Sequence, residues 1–258
     1  MMKIFDAHIH LADNEYSPYI QHILHSMHAL KIIACSVSTN VETSLSNLRL
    51  FNNSNKDVIV RFIGIHPEFA LSDDLEKFHD IFNKHVTLID GIGEIGLDRS
   101  YIECKGISLQ KQTEVFRSML NLAEKTKKPL SIHSRRALDD VLEILKNYNL
   151  GSVLLHWFSG SKKQLNKSMD MGLFVSYGPS LLFAPDKKTL LKNTLSDKFL
   201  VETDGPVRYP RCFEYRPAMS SSFLISVINS VANVIGLSYD ETVRLLQTNS
   251  ELYLKRKL

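Results

Sequence analysis

The sequence predicts an α/β fold, a (β/α)8 TIM barrel formed as a single domain over residues 1–258. Three observations carry that expectation. Apolar, β-branched runs recur at about 3–8, 32–37, 59–65, 86–95, 129–133, 152–156, 173–177 and 199–203, with helical stripes or caps between them. Such alternation gives a parallel sheet, because parallel neighbours need a long crossover and a helix supplies it. Eight units in 258 residues match the size at which such a sheet closes on itself. No Pro/Gly/Ser-rich linker or low-complexity block divides the chain, and its short lysine runs (125–128, 162–163) read as solvated helix ends.

Each unit has its own signal. The first run leads into "FDAHIHLA", residues 5–12. The period of two in a strand puts Ile4, Asp6, His8 and His10 on one face. Phe5, Ala7, Ile9 and Leu11 then share the other, which is expected to face the helices. Ser17 and Pro18 read as N-cap and first residue of a helix carrying Ile20, Leu24, Met27 and Leu30. Ser72, followed by Asp73 and Asp74, reads as another helix start. Ser108 opens a long helix with Phe116, Met119, Leu120 and Ala123 on its stripe, ending before Pro129. Leu138, Val141, Leu142 and Leu145 form the next stripe, and Ser161 and Gly172 bracket the helix after it. Ser238 with Glu241 makes a capping box for the last helix, which carries Leu245, Leu246 and Leu252.

Composition narrows the class. Hydrophobic residues at 44% and charged residues at 23% are ordinary for a globular protein. No run of apolar residues is long enough to span a bilayer, and the N-terminus lacks a signal-peptide pattern, so a cytoplasmic protein without a membrane partner is expected. Cys35, Cys104 and Cys212 are odd in number and form no CxxC pair, so reduced, mostly buried thiols are expected rather than a thiolate zinc site. The net charge of +3 permits an anionic substrate without requiring one.

The chemistry gathers at the C-terminal ends of the runs. There stand His8 and His10, His66 in "GIHPEF", Glu94 in "GIGEIGLD", His133 in "LSIHSRRA", His156 in "VLLHWFSG" and Asp204 in "FLVETDGP". In a parallel barrel these ends form one rim, the face on which barrel enzymes carry their active sites. The remaining five histidines, His22, His25, His28, His79 and His85, fall in helical stretches and read as structural. Imidazole and carboxylate donors suit Zn²⁺, Mn²⁺ or a similar divalent ion. Four histidines and two carboxylates suffice for two ions if one carboxylate bridges them.

On these stretches, and on "TNSELY" at 248–253, the sequence closely resembles the TatD family of metal-dependent hydrolases, within the amidohydrolase superfamily. The match runs in order along nearly the whole chain. The resemblance implies a hydrolase, in many members a DNase and in several a 3′–5′ exonuclease, with two divalent metal ions (Mg²⁺, Mn²⁺ or Zn²⁺) as cofactors. It implies that His8, His10 and Asp204 hold one ion, that His133 and His156 hold the other, and that Glu94 bridges them. His66 would contact the phosphate or the bound water, and Asp204 would act as general base. DNA, entered at single-stranded ends and with little sequence preference, is the implied partner.

Arg135, two residues past His133, is the expected phosphate contact, with Arg99, Arg136, Arg208, Arg211 and Arg216 as further candidates. Tyr101, Trp157 and Phe158 either stack an unpaired base or, the more ordinary role, pack on the barrel top. Trp157 stands where the family commonly has cysteine, and Gly205 and Val207 depart from its usual Thr-Asp-Ser-Pro-Tyr/Leu ending. "SIHSRR", "HWFSG", "SYGPS" and "ETDGP" together look more like the TatD branch of Qat anti-phage defence operons, which implies protein partners in a defence complex. Hydrolysis of a small amide, ester or lactone is the alternative chemistry for the same site.

Overall fold

The apolar runs form eight parallel strands in a computed structural model that describes residues 2–50, 57–71, 75–209, 211, 217–219 and 223–258. They are β1 (Ile4–Ile9), β2 (Ile32–Val37), β3 (Ile59–Ile63), β4 (Gly91–Gly96), β5 (Leu130–His133), β6 (Val153–Leu155), β7 (Phe174–Tyr177) and β8 (Phe199–Val201). They pair in sequence order from β1 to β8. Beyond β8 the ring is completed by Asp204 N donating to His8 O (2.9 Å) and His10 N donating to Gly205 O (2.8 Å). The Asp6 carboxylate adds bonds from Thr203 N (2.9 Å) and Thr203 Oγ1 (2.7 Å). The fold is the expected (β/α)8 barrel.

The helices are α1 (Ile20–Leu30), α2 (Val41–Arg49), α3 (Leu75–His85), α4 (Ser100–Lys105), α5 (Leu109–Thr126), α6 (Leu138–Leu145), α7 (Lys162–Asp170), α8 (Pro185–Lys192), α9 (Ile225–Ile235) and α10 (Tyr239–Leu254). The Ser108 and Ser161 hydroxyls accept from Lys111 N and Gln164 N, and Ser238 and Glu241 form the expected box. Gly172 follows α7 with φ of +71°, as a C′ glycine does. Ser17 does not cap: a 3-10 turn, Ser17–Tyr19, precedes α1, and no side chain bonds its N-terminus. Leu30 and Leu252 close their stripes exposed. Residues 86–90 carry the chain out of α3 instead of joining β4. Cys35 is buried as expected, whereas Cys104, on the short helix α4, is exposed. Ser72, Asp73, Asp74, Cys212 and Arg216 lie outside the described residues. Among the described residues no helix is long and apolar enough to cross a membrane.

Apolar packing falls into two main layers. Inward residues such as Phe62, Leu154, Phe174 and Leu200 fill the barrel, and Tyr253 of α10 joins them from the closed end. Outward residues such as Ile32, Ile92, Ile132 and Val175 pack with the helices. β1 does not keep one face throughout. Asp6 pairs with Ala34 but Ile9 with Ser36, so β1 carries one extra residue between them, a bulge. Phe5 and Ala7 therefore lie in the interior layer, and Ile9 and Leu11 in the outer one. The expectation that all four face the helices fails because strict alternation stops at the extra residue. β4 has the same irregularity, with Ile92 opposite Leu130 and Ile95 opposite Ile132.

Candidate metal centre

The rim residues converge where the strands end. His8 and Glu94 sit inside the two bulges, and His10, His66, His156 and Asp204 lie one to three residues past the paired segments. A bulge re-aims the side chain it carries, and here His8 of β1 and Glu94 of β4 meet although two strands lie between theirs in the sequence. Glu94 is the centre. Its Oε1 lies 2.7 Å from His156 Nε2, 2.9 Å from His133 Nδ1 and 3.4 Å from His66 Nε2. Its Oε2 lies 3.4 Å from His10 Nε2 and 3.5 Å from His8 Nε2. Asp204 Oδ1 is 3.5 Å from the same two nitrogens. The rings of His8 and His156 stack at 3.8 Å. Every sequence-predicted donor thus reaches one cluster, whereas His22, His25 and His28 are exposed on α1 and His79 bonds Ser118 Oγ (2.8 Å).

Behind the donors stands a set of groups that sequence reasoning missed. Ser131 Oγ is 2.8 Å from His8 Nδ1, Asp98 Oδ2 is 2.9 Å from His133 Nε2, and Glu202 Oε1 is 3.9 Å from His156 Nδ1. Glu202 accepts from Trp157 N (2.7 Å) and Ser176 Oγ (2.5 Å). Asp98 and Glu202 stand within "GEIGLD" and "ETDGP", so position in those motifs was the one available signal.

The electrostatics follow from burial. His8 is pushed down to about 4 by burial and by neighbouring His156, against the pull of Glu94 and Asp204. Burial takes His66 down to about 3. Both are therefore neutral near pH 7; His8 keeps a lone pair for a metal, whereas that of His66 Nδ1 accepts from Glu68 N (3.3 Å). His133 is raised to about 9: burial opposes, but its bonds to Asp98 and Glu94 outweigh it. Burial also works against ionising Glu94, yet the surrounding histidines, His66 and His156 foremost, hold its carboxyl well below the usual range. Burial drives Glu202 up to about 8.

The donor set fits a divalent ion. His8 Nε2 is buried without a hydrogen-bond partner and faces two carboxylate oxygens, an expensive arrangement unless something else occupies that direction. Among the described residues, three groups have geometry that an ion could use: His8, His10 and Asp204; His66, Glu94 and His133; and His8, His156 and Glu202.

The cluster opens into a cavity of about 450 Å³ whose walls include Thr39, Tyr101, Ser134, Arg135, Trp157 and Ser159. Arg135 is exposed on that wall. Arg136 beside it is also exposed. Arg99 makes a twin bond to Asp140 (2.8–2.9 Å), Arg208 pairs with Glu15, and the Arg211 guanidinium lies 5.8 Å from the Phe183 ring. Phe158 is buried, so it packs rather than stacks a ligand.

Buried imidazole and carboxylate donors gathered at the C-terminal rim of a (β/α)8 barrel define a metal-dependent hydrolase. The chain belongs to the TatD related DNase family, which matches residues 5–255. It is similar to the uncharacterized metal-dependent hydrolase YabD of Bacillus subtilis, 27% identical over 256 residues that cover 96% of this chain and 97% of the relative. It is also similar to the human deoxyribonuclease TATDN3, 22% identical over 258 residues, covering 96% and 93%. The crystal structure of YJJV, a TatD homologue from Escherichia coli, shares the fold with a TM-score of 0.86 at 21% identity, covering 97% of each chain.

Proposed function

We propose that the protein is a two-metal phosphodiesterase that shortens DNA from single-stranded ends in the 3′–5′ direction. One observation carries the two-metal reading: the Glu94 carboxylate is shared, with His8 and His10 at Oε2 and His133, His156 and His66 at Oε1. In this reading His8, His10 and Asp204 would hold one divalent ion, His133 and His156 the other, and Glu94 would serve both. When bound, the ions supply Lewis-acid polarisation of the phosphoryl group and acidify water at the site. Asp204 takes the proton from the attacking water through its carboxylate. His66, neutral and beside Glu94, donates to a phosphate oxygen or to that water. Arg135 holds a neighbouring phosphate by its forked donors. Contacts of this kind read no bases, so little sequence preference follows.

The cavity favours a strand end over a duplex. A duplex needs a long basic track on both flanks, and at this rim Arg99 and Arg208 are already paired with Asp140 and Glu15. The test is metal analysis together with cleavage of 5′- and 3′-labelled single strands in Mg²⁺ or Mn²⁺. The expected result is a ladder growing from the 3′ end, abolished in His133→Ala. Absence of cleavage across DNA and RNA substrates, with metal bound, would sink the reading.

A further inference from the structure

Trp157 has a conformation that barrel packing alone does not explain. It is the one tryptophan in the chain, it directly follows His156, and its φ is +42°. A bulky residue holds such a backbone only where its surroundings over-determine it, and these positions cluster at ligand sites. The surroundings here do so. Its backbone N–H donates to Glu202 Oε1 (2.7 Å) and to Ser176 Oγ (3.2 Å). Its ring rests on Tyr209, with centroids 5.4 Å apart and planes tilted by 31°. Tyr209 is buried, donates its hydroxyl proton to Thr203 O (2.9 Å), and packs against Phe223 at 6.2 Å.

A fixed aromatic stack therefore backs the indole, and it is anchored to the residue before Asp204. The ring itself is half-buried and lines the cavity, in company with Arg135 and the donor cluster. Tyr101, the other aromatic wall, is turned to Glu68 by its hydroxyl (3.4 Å). An indole face gives nothing to the ionic chemistry of this site. It offers a rigid, flat, apolar surface beside the place where a phosphate would bind.

We infer that Trp157 is the stacking platform for an unpaired nucleobase of the substrate, adjoining the phosphodiester that is cut. The inference rests on the phosphodiesterase reading above and adds to it a subsite for the base. Base–aromatic stacking tolerates any base, so the platform holds the strand end without selecting its sequence.

Steady-state kinetics on two single strands tests this, one intact and one lacking the bases of its last two nucleotides. Wild type, Trp157→Ala and Trp157→Phe are compared with metal bound. The expected KM of wild type is roughly 10-fold higher on the abasic strand, with kcat little changed. Trp157→Ala is expected to lose the same factor on the intact strand and nothing more on the abasic one, and Trp157→Phe to recover most of it. The fluorescence of this sole tryptophan should also fall more with the intact strand. Equal KM of wild type on both strands, equal loss by Trp157→Ala on both, or equal fluorescence changes each overturn the platform while leaving nuclease activity standing. Cleavage of neither strand by wild type removes the nuclease reading and this inference with it.

Discussion

At His8 the two ring nitrogens have different neighbours. Nδ1 meets the Ser131 hydroxyl, which leaves Nε2 pointed between Glu94 and Asp204. His133 and Asp98 repeat the arrangement, and His156 and Glu202 approach it. A polar group on the far side of a ligating imidazole fixes its orientation and raises its basicity. Asp98→Asn is accordingly expected to weaken metal affinity about 10–100-fold with little change in the melting temperature of the metal-free protein, as read by competition against a chromophoric chelator. The two donor groups should also separate. His8→Ala or His10→Ala is expected to remove one equivalent of metal and leave the His133 and His156 group loaded, and Glu94→Gln to weaken both. Elemental analysis of the purified variants checks this, and loss of both equivalents in His8→Ala would argue against two separable donor groups. The donors were legible in the sequence because each ends an apolar run. Ser131, Asp98 and Glu202 were not, since spacing along a strand says where a residue sits but not which ring lies against it.

The bulges of β1 and β4 are what turn strand ends into a cluster. A strand without them would present His8 and Glu94 according to alternation alone, and alternation gave the wrong side for Phe5 and Ala7. No composition signal marks the extra residue, which is why the element order was legible and the facing of β1 was not. Gly96 shows how tightly β4 is fitted to its neighbour. Its φ is +143°, it pairs with His133, and an added Cβ would collide with the His133 carbonyl oxygen. Gly96→Ala is expected to cost about 2–3 kcal/mol and to reduce metal occupancy, measured by urea unfolding and metal analysis of the same preparation. Unchanged stability would mean that β4 and β5 can part without disturbing the fold.

The barrel as a whole is closed by the two ends of the chain. Tyr253 enters the interior layer from α10 and donates to Leu130 O (2.9 Å), and Asn249 donates to Ser196 O (2.8 Å) and Phe199 O (2.9 Å). The "TNSELY" stretch thus seals the end opposite the rim, a role its sequence alone did not disclose. At the rim, Asp6 and Thr203 bond across 197 positions, and the His8, His10 and Asp204 group spans the same seam. The seam would give an ion held by that group a place in the folding of the chain. Contacts so distant in sequence form only after a long loop has closed, and an ion bound there works as a clasp that the unfolded chain cannot close. With metal at a hundredfold excess over its dissociation constant the clasp is worth about 2.7 kcal/mol, or about 5–10 °C in melting temperature for a chain of this length. Calorimetry with and without a chelator should record at least that shift, and His10→Ala should lose the share due to the ion at this seam: an ion that serves the chemistry would also fasten the first strand to the last.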